Sequence, residues 1–332
     1  MKAAILKKYD KKGSEIRIEE VPVPEIGPND VLVKIMFAGV NPLDNMIIRG
    51  EVKMITPYKL PLIMGNEFSG IVEKTGENVT EFDIGDRVYS RMPLDNIGAF
   101  AEFASVDKTA LAKIPDYLNF EQAACIPLTA LTAFQSFDLM KINKNESIFI
   151  SGGTGSLGAM AIPIAKHLGL NVFTSGSARN KQRVSDLGVD EFIDYRTQDY
   201  SQILHDVDYV LDTIGEKELE KEFRILKHGG TLVSLKGMPN KEFAQRMGLS
   251  SIKKILFGMV GRKFDKMAQK KNQKYYFLFV NENGKQLTEI SKIFEENKIE
   301  PSIDEIYELS DINKALKKVD NGGSKGKTLI KI

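Results

Sequence analysis

Residues 147–167 carry the most diagnostic pattern in the chain, Ser147-Ile-Phe-Ile-Ser-Gly-Gly-Thr-Gly-Ser-Leu-Gly-Ala-Met-Ala-Ile-Pro-Ile-Ala-Lys-His167. A short apolar strand leads into a glycine-rich turn, and a helix follows. Gly152, Gly155 and Gly158 have the spacing GxxGxxG, a variant of the dinucleotide-binding fingerprint. Glycine allows a tight turn and a close approach of backbone to a pyrophosphate, and the helix that follows offers free N–H groups to the anion. The pattern predicts a dinucleotide site.

Further strands alternate with helix-like stretches on the carboxyl side of this turn. Including the first one, the predicted strands are 147–150, 171–174, 192–194, 209–212, 231–235 and 275–280. Strands separated by helices imply right-handed parallel crossovers, so we expect an α/β, doubly wound Rossmann domain. The first 120 residues lack this alternation. Their short strands, broken by glycine and proline, indicate a small and mainly antiparallel β domain.

The composition excludes several classes of protein. The chain has 332 residues with a net charge of +1, one cysteine, three histidines and no tryptophan. One thiol cannot form an intrachain disulfide, so a secreted disulfide scaffold is excluded and a reducing, cytoplasmic location is expected. Zinc clusters need several Cys and His residues, so no metal site is expected. No apolar run approaches the roughly 18–20 residues of a membrane helix.

The choice of dinucleotide depends on residues about 20 positions beyond the glycine turn, where NAD-binding folds place an acid on the ribose 2′-hydroxyl. No acid occurs there. Two hydroxyls and three cations stand in its place: Ser175, Ser177, Arg179, Lys181 and Arg183. Such donors suit a 2′-phosphate, which an acid would repel, so we expect NADPH as cofactor. The alternative is that these cations merely form a solvated helix face.

Five further stretches accompany the glycine turn. They are Gly39-Val-Asn-Pro-Leu-Asp44, Pro61-Leu-Ile-Met-Gly-Asn-Glu-Phe-Ser-Gly70, Gly85-Asp-Arg-Val88, Gly98-Ala-Phe-Ala-Glu-Phe103 and Leu128-Thr-Ala-Leu-Thr-Ala133, and the chain closes with Gly326-Lys-Thr-Leu-Ile330. Together they span nearly the whole chain. In this combination the sequence resembles the medium-chain dehydrogenase/reductase superfamily, and within it the zinc-lacking quinone oxidoreductase branch that includes zeta-crystallin.

The resemblance implies a split architecture with the active site in the cleft. A mainly antiparallel, GroES-like catalytic domain would comprise residues 1–122 and 283–332, and the NADP-binding Rossmann domain would comprise residues 123–282. It also implies a homodimer formed through an edge strand of the cofactor domain. The candidate strand is 275–280, which is apolar on both sides.

Departures from the zinc-dependent relatives concern the metal ligands. Where those relatives carry a catalytic Cys this chain has Val40-Asn41, and where they carry a His it has Asn66. Without a Lewis acid, simple alcohols become poor substrates, whereas hydride addition to a quinone or an α,β-unsaturated carbonyl gives a delocalised anion that hydrogen-bond donors can stabilise. The candidate catalytic residues are Asn41 as an oxyanion donor, Tyr58 as a proton relay, and Asp44, which we expect to anchor its loop. The alternatives are that Asn41 holds the Asn41-Pro42 turn, and that Tyr58 is a packing residue and solvent supplies the proton.

The remaining cofactor residues follow from the resemblance. Thr129 is expected on the nicotinamide side and Ser156 and Leu157 at the pyrophosphate. Ser177, Lys181 and Tyr195 are expected around the adenosine phosphate. The other candidates follow strand ends or lie in the tail: Thr213, Ile214, Leu235, Gly237, Phe277, Phe279 and Lys325, with Lys327 as the alternative to Lys325.

A basic insert occupies about residues 239–274. From Lys241 to Lys274 it contains ten Lys and Arg against two acids, a net charge of +8, and apolar residues recur at helical spacing. One interpretation is a lid whose apolar face covers the substrate cleft while its lysines are solvated. The alternatives are a helix that docks on anionic membrane and a nucleic-acid surface, although no nucleic-acid-binding motif is present.

The sequence thus predicts a cytoplasmic NADPH-dependent reductase of quinones or α,β-unsaturated carbonyls, with a small-molecule partner and no metal. Two alternatives remain open. One is an enoyl-thioester reductase of the same fold. The other is a protein that binds NADPH but acts through association with RNA or a membrane surface.

Overall fold

The computed structural model describes residues 1–13 and 15–332. They form two compact units. The split unit comprises Met1–Leu131 and Asn281–Ile332, and the central unit comprises Thr132–Val280.

The secondary structure follows the alternation that the sequence predicts. The strands are β1 (Lys2–Leu6), β2 (Arg17–Glu20), β3 (Asp30–Val40), β4 (Leu62–Ile63), β5 (Glu67–Thr75), β6 (Arg87–Arg91), β7 (Phe103–Asp107), β8 (Leu111–Lys113), β9 (Ser147–Ile150), β10 (Asn171–Gly176), β11 (Glu191–Asp194), β12 (Val207–Asp212), β13 (Leu226–Ser234), β14 (Lys274–Phe277), β15 (Ile303–Glu308) and β16 (Lys327–Lys331). The helices are α1 (Pro42–Arg49), α2 (Phe120–Ala124), α3 (Pro127–Met140), α4 (Ser156–His167), α5 (Lys181–Ser185), α6 (Tyr200–Ile203), α7 (Glu216–Ile225), α8 (Lys241–Arg246), α9 (Ser251–Gln269), α10 (Gly284–Asn297) and α11 (Ile312–Asn321). No helix within the described residues is long and apolar enough to cross a bilayer.

The central unit is built on a six-stranded parallel sheet. Its strand order is β11-β10-β9-β12-β13-β14, so that the six strands taken in chain order lie 3-2-1-4-5-6 across the sheet. This is the doubly wound Rossmann arrangement, and the prediction of an α/β cofactor domain is confirmed. The connections diverge between β9 and β12. Ligands of such sheets bind outside the carboxyl ends of the strands at this point, which is where the glycine turn lies.

β14 is an edge strand, with β13 as its one neighbour in the described sheet. Tyr275, Phe277 and Phe279 are nevertheless buried within the single chain. Their apolar character is therefore explained by packing in the chain itself and requires no partner subunit. The homodimer stays a prediction, and its support is the edge position of β14.

The split unit contains a seven-stranded, mainly antiparallel sheet in the order β15-β16-β3-β5-β6-β8, with β7 also paired to β3. The carboxyl-terminal strand β16 pairs antiparallel with β3, so the tail completes the amino-terminal domain. This confirms the predicted GroES-like architecture. A second sheet has the order β2-β1-β4.

The boundary between the units lies later in the chain than residues 122 and 123, where the sequence placed it. The reason is the packing of α2 against β3 and β5. Ala124 and Cys125 share one buried cluster with Phe37 of β3 and Leu329 of β16. Burial raises the pKa of the Cys125 thiol to about 12, which suits a structural cysteine rather than a nucleophile.

Candidate active site

The glycine turn of the central unit is held by packing at three of its positions. Gly152 adopts the left-handed conformation, with φ of +68°, and turns the chain at the end of β9. A side chain at Gly153 would collide with Thr174, whose Oγ1 accepts a hydrogen bond from the Gly153 N–H at 3.1 Å. A side chain at Gly158 would collide with the Gly153 backbone and separate α4 from the turn.

Gly155 differs from these glycines because no packing in the described chain requires it. A Cβ there would meet only the Gly152 carbonyl oxygen, at an ordinary 3.5 Å, and its φ of −83° suits any residue. It precedes Ser156 and Leu157, the first residues of α4. A glycine that the protein does not need for its own packing fits a position where the protein backbone lies close to a ligand such as a pyrophosphate.

The end of β10 provides the predicted polar groups beyond the turn. Ser175 and Ser177 are buried, whereas Arg179 and Lys181 are exposed. The Tyr195 N–H donates to the Gly176 carbonyl at 3.2 Å, which places exposed Tyr195 beside the same strand end. The third cation has another role, because Arg183 donates to the Thr154 carbonyl and supports the glycine turn.

Asp212 organises the neighbouring strand ends, although the sequence did not single it out. It is fully buried, and its carboxylate accepts hydrogen bonds from the N–H groups of Ile214 and Gly215, both at 2.8 Å, and from the Ser234 hydroxyl. The Ser234 oxygen in turn accepts from the Gly237 N–H at 2.7 Å. The loops after β12 and β13, which contain the predicted residues Thr213, Ile214, Leu235 and Gly237, are therefore fixed by one carboxylate.

Four predicted cofactor residues are engaged within their own unit. The Phe277 ring packs edge-on against Phe243 at 5.1 Å between centroids, and Phe279 is buried. The Thr129 hydroxyl donates to the Cys125 carbonyl one turn earlier, at 2.8 Å. Lys325 is exposed, and its backbone N–H donates to Asp304. Contact of these four residues with a cofactor stays a prediction.

The split unit contains a buried polar network around Glu67. One carboxylate oxygen accepts from the Asn41 amide at 2.8 Å and pairs with the Lys327 ammonium, and the other accepts from the Leu128 N–H at 2.7 Å. Lys327 also donates to the Asn41 side-chain oxygen at 2.6 Å. A side chain at Gly39 would collide with both Glu67 and Lys327, so this glycine makes room for the ion pair.

Asn41 is consequently not a free oxyanion donor. Its amide N–H groups donate to Glu67 and, at 3.3 Å, to the Gly39 carbonyl, while its oxygen faces Lys327. The oxyanion role of Asn41 stays a prediction, and in the structure its N–H groups are directed to Glu67 and Gly39 while Lys327, 286 positions away, donates to its oxygen. Of the two tail lysines, Lys325 is exposed and Lys327 is buried.

Asp44 lies in the first turn of α1 and is fully buried. It accepts from the Asn41 N–H and from the Asn66 amide, both at 2.7 Å. Burial raises the pKa of Asp44 to about 7, and the negative charge of Glu67 adds to that effect, while the hydrogen bonds and Lys327 oppose it. These two hydrogen bonds tie the carboxyl to the start of α1 and to Asn66, which is the arrangement expected of a loop anchor.

A donor-rich corner lies beside this network and consists of Tyr58 and Arg91. Arg91 of β6 pairs with Glu67 of β5 across the sheet, so both side chains lie on one face. The Tyr58 hydroxyl and the Nε and Nη2 atoms of Arg91 are buried and have no hydrogen-bond partner among the described residues. Burial raises the pKa of Tyr58 to about 12, while the nearby Arg91 charge opposes the rise, so the hydroxyl keeps its proton.

Arg91 was missed by the sequence analysis. It follows Val88, Tyr89 and Ser90 in a strand whose side chains are buried on both faces. An arginine at the end of such a strand could have indicated a functional side chain, since a buried arginine requires a partner for its charge. No group of three or more His, Cys, Asp or Glu residues within the described chain is arranged to hold a metal ion.

Alanine substitutions at Gly155 and Gly158 should distinguish a glycine needed for NADPH binding from one needed for folding. Gly155→Ala should fold normally, because its new methyl group meets only an ordinary contact, but should bind NADPH at least about tenfold more weakly. Gly158→Ala should lower the free energy of unfolding by about 1–3 kcal/mol because of overpacking. Fluorescence titration with NADPH and urea unfolding measure both quantities. Unchanged NADPH affinity in Gly155→Ala would contradict the assignment of the turn.

The titration of Asp44 should appear in the pH dependence of stability. Its pKa is raised on folding, so its contribution is full below the unfolded value near 4 and is lost as the pH rises towards about 7. Within that window the wild type should lose about 1.4 kcal/mol per pH unit relative to Asp44→Asn, which resembles the protonated acid. Urea unfolding of both proteins from pH 5 to 8 measures the difference. Parallel curves would show that Asp44 does not titrate in this range.

Comparison with known proteins identifies the family. Residues 27–116 match the alcohol dehydrogenase GroES-like domain, and residues 187–330 match the family described as zinc-binding dehydrogenase. The mitochondrial NAD(P)H oxidoreductase RTN4IP1 of Dictyostelium discoideum is 31% identical over 331 residues, covering 94% of this chain and 93% of the relative. That relative is mitochondrial, whereas our expectation of a cytoplasmic location depends on a cysteine count that indicates only a reducing compartment.

Two further similarities extend this result. The chloroplastic NADPH-dependent alkenal/one oxidoreductase of Arabidopsis thaliana is 32% identical over 225 residues, covering 65% of this chain and 58% of the relative. The quinone oxidoreductase of Coxiella burnetii has the same fold, with a TM-score of 0.84 and 26% identity over 100% of this chain and 99% of that chain. The chain is therefore an oxidoreductase that belongs to the medium-chain dehydrogenase/reductase superfamily, in its zinc-lacking branch.

Proposed function

We propose that this oxidoreductase transfers hydride from NADPH to quinones or α,β-unsaturated carbonyls without a metal ion. The observation that carries the proposal is the donor-rich corner. Tyr58 and Arg91 present buried N–H and O–H groups without an acceptor in the described chain. Unused buried donors are costly, and an acceptor oxygen that becomes negatively charged would satisfy them.

The network around Glu67 argues against zinc at the positions where zinc-dependent relatives carry their ligands. The Lys327 ammonium lies 2.6 Å from Asn41 Oδ1. A divalent cation beside a buried ammonium would be strongly repelled, and the neutral amides of Asn41 and Asn66 are poor zinc ligands. Charge that develops on the substrate must therefore be stabilised by hydrogen bonds.

A conjugated acceptor suits this arrangement. Bound NADPH would supply the hydride, which adds to carbon and leaves the electron pair on oxygen as an enolate or hydroquinone anion. Arg91 would hold that oxygen and Tyr58 would donate a hydrogen bond to it. Because its pKa is about 12, Tyr58 is protonated when the reaction begins, and Asp44, with a pKa of about 7, can hold the replacement proton.

The absence of an acid at the end of β10 supports NADPH over NADH. Ser177, Arg179 and Lys181 surround the place where NAD-binding folds carry a carboxylate, and Tyr195 lies beside it. Arg179 and Lys181 are exposed, so their charges are available to a 2′-phosphate. The Arabidopsis relative is described as NADPH-dependent, which agrees with this assignment.

An acceptor panel tests the proposal. NADPH oxidation should be observed with quinones or enones and should be absent with simple ketones. Tyr58→Phe and Arg91→Met should each lower kcat by roughly 10²–10³, the cost of one oxyanion donor, with unchanged NADPH affinity. Arg87→Met is the matched control, because Arg87 lies in the same strand but donates to the Leu118 carbonyl.

Three outcomes would contradict the proposal. Activity restricted to enoyl thioesters would favour the thioester reductase. NADPH binding without reduction of any acceptor would favour a protein that acts by association. Zinc-dependent activity that chelators abolish would overturn the metal-free mechanism.

Charge reversal tests the choice of dinucleotide. Lys181→Glu should lower the preference for NADPH over NADH about 10- to 100-fold, since it removes a charge-assisted hydrogen bond and adds repulsion. Lys144→Glu is the matched control, because exposed Lys144 precedes β9 at the opposite end of the sheet. Ratios of kcat/KM for the two dinucleotides measure the effect. Equal efficiency of NADH and NADPH in the wild type would refute the assignment.

A further inference from the structure

Helix α9 of the central unit has two apolar faces. The first is an ordinary core-facing stripe with spacings of four, three and four residues: Phe257, Gly261, Phe264 and Ala268, all buried. Asn240 packs directly against Gly261, where a Cβ would collide with it. This stripe is sufficient to hold the helix on its unit.

The second apolar face points away from the unit. Its members and their exposed fractions are Ile252 at 72%, Ile255 at 64%, Leu256 at 39%, Met259 at 61% and Val260 at 51%. At about 100° per residue, Met259 lies roughly on the opposite side of the helix from the buried stripe. The lid interpretation, in which this face covers a bound substrate, stays a prediction, and in the structure these side chains are exposed. Such a contiguous apolar patch on a water-facing surface indicates an interaction site.

Cations continue the same line of the helix. Ile252, Met259, Lys263 and Lys266 are separated by seven, four and three residues, so they share one outward side. Arg262, Lys263 and Lys266 are exposed. The outward side of α9 is therefore apolar in its first half and cationic in its second, within an insert whose net charge is +8.

The charge distinguishes between the possible partners of this face. A twofold contact of two copies through this face would bring two inserts of +8 together, and their repulsion opposes such a contact. An RNA would pair with the cations but would leave five aliphatic and thioether side chains without an apolar partner. An anionic bilayer receives both halves, since its acyl boundary accepts the apolar residues and its headgroups attract the lysines.

We propose that α9 docks the protein on an anionic membrane surface, with Ile252–Val260 inserted at the acyl boundary and Arg262–Lys266 against the headgroups. This mode lies on the bilayer and does not span it. It is separate from the chemistry of the donor-rich corner and does not depend on the proposed reaction.

Co-sedimentation of the full chain with vesicles tests the proposal. Binding is expected to vesicles of phosphatidylcholine mixed with phosphatidylserine, to be weak on phosphatidylcholine alone, and to fall with added salt. The double variant Ile255→Asp/Met259→Asp should lower the partition coefficient at least about tenfold, and so should Arg262→Glu/Lys266→Glu, which leaves the Lys263–Glu220 ion pair intact. Ile84→Asp is the matched control, because Ile84 is 71% exposed in the split unit and should leave binding unchanged.

All altered side chains are exposed, so circular dichroism and thermal unfolding should match the wild type and exclude misfolding. Equal binding to neutral and anionic vesicles, or equal binding of wild type and variants, would overturn the proposal. Light scattering provides a further test. A wild-type dimer that Ile255→Asp/Met259→Asp converts to a monomer would assign the face to a second copy. Tight RNA binding that outcompetes the vesicles would assign it to nucleic acid.

Discussion

The buried carboxylate of Glu67 is the constraint around which the split unit is organised. It joins three distant parts of the chain: Asn41 at the start of α1, Leu128 at the start of α3, and Lys327 at the start of the last strand. A buried ion pair adds little net stability, but losing one partner of such a pair costs roughly 3–5 kcal/mol, because the other charge is left unpaired. The ion pair between Lys327 and Glu67 therefore favours the observed register of the tail strand β16. Residue 39 must be small, because this ion pair occupies the space beside it.

The same charges determine which polar groups of the split unit remain available for other contacts. Lys327, Glu67 and Arg91 lie on neighbouring strands, in the order β16, β3, β5 and β6, with Gly39 providing the gap on β3. Because Lys327 neutralises Glu67, the charge of Arg91 is not needed to balance Glu67. The carboxylate of Glu282 lies 4.0 Å from Arg91 Nη1 and is partly exposed. In the central unit a single buried carboxylate, Asp212, similarly fixes the loops at the strand ends. In both units one buried carboxylate fixes the backbone and side-chain groups around it.

Local patterns predicted the fold well, whereas contacts between distant segments decided the site. The bounds of β9 and the glycine turn followed from a strand, glycines and a helix within twenty residues, and the alternation that follows determined the sheet. The orientation of the Asn41 amide depends on Glu67, which accepts from its nitrogen, and on Lys327, which donates to its oxygen, and no local pattern contains that information. Burial of Arg91 likewise depends on its pairing with β5. For α9, the periodicity indicated an amphipathic helix but did not show that a second stripe of phenylalanine and small residues would face the core.

The position of Lys327 has a consequence for substitutions that would introduce a metal site into this chain. Zinc ligands at residues 41 and 66 and a lysine at 327 are mutually exclusive, since a divalent cation and the ammonium would compete for the same carboxylate-lined space. Restoring a cysteine and a histidine alone would create ligands beside a positive charge, and removing the lysine alone would leave Glu67 buried and unpaired. Either change by itself would therefore destabilise this chain. A metal site at residues 41 and 66 would require a coupled substitution at Lys327, near the opposite end of the sequence.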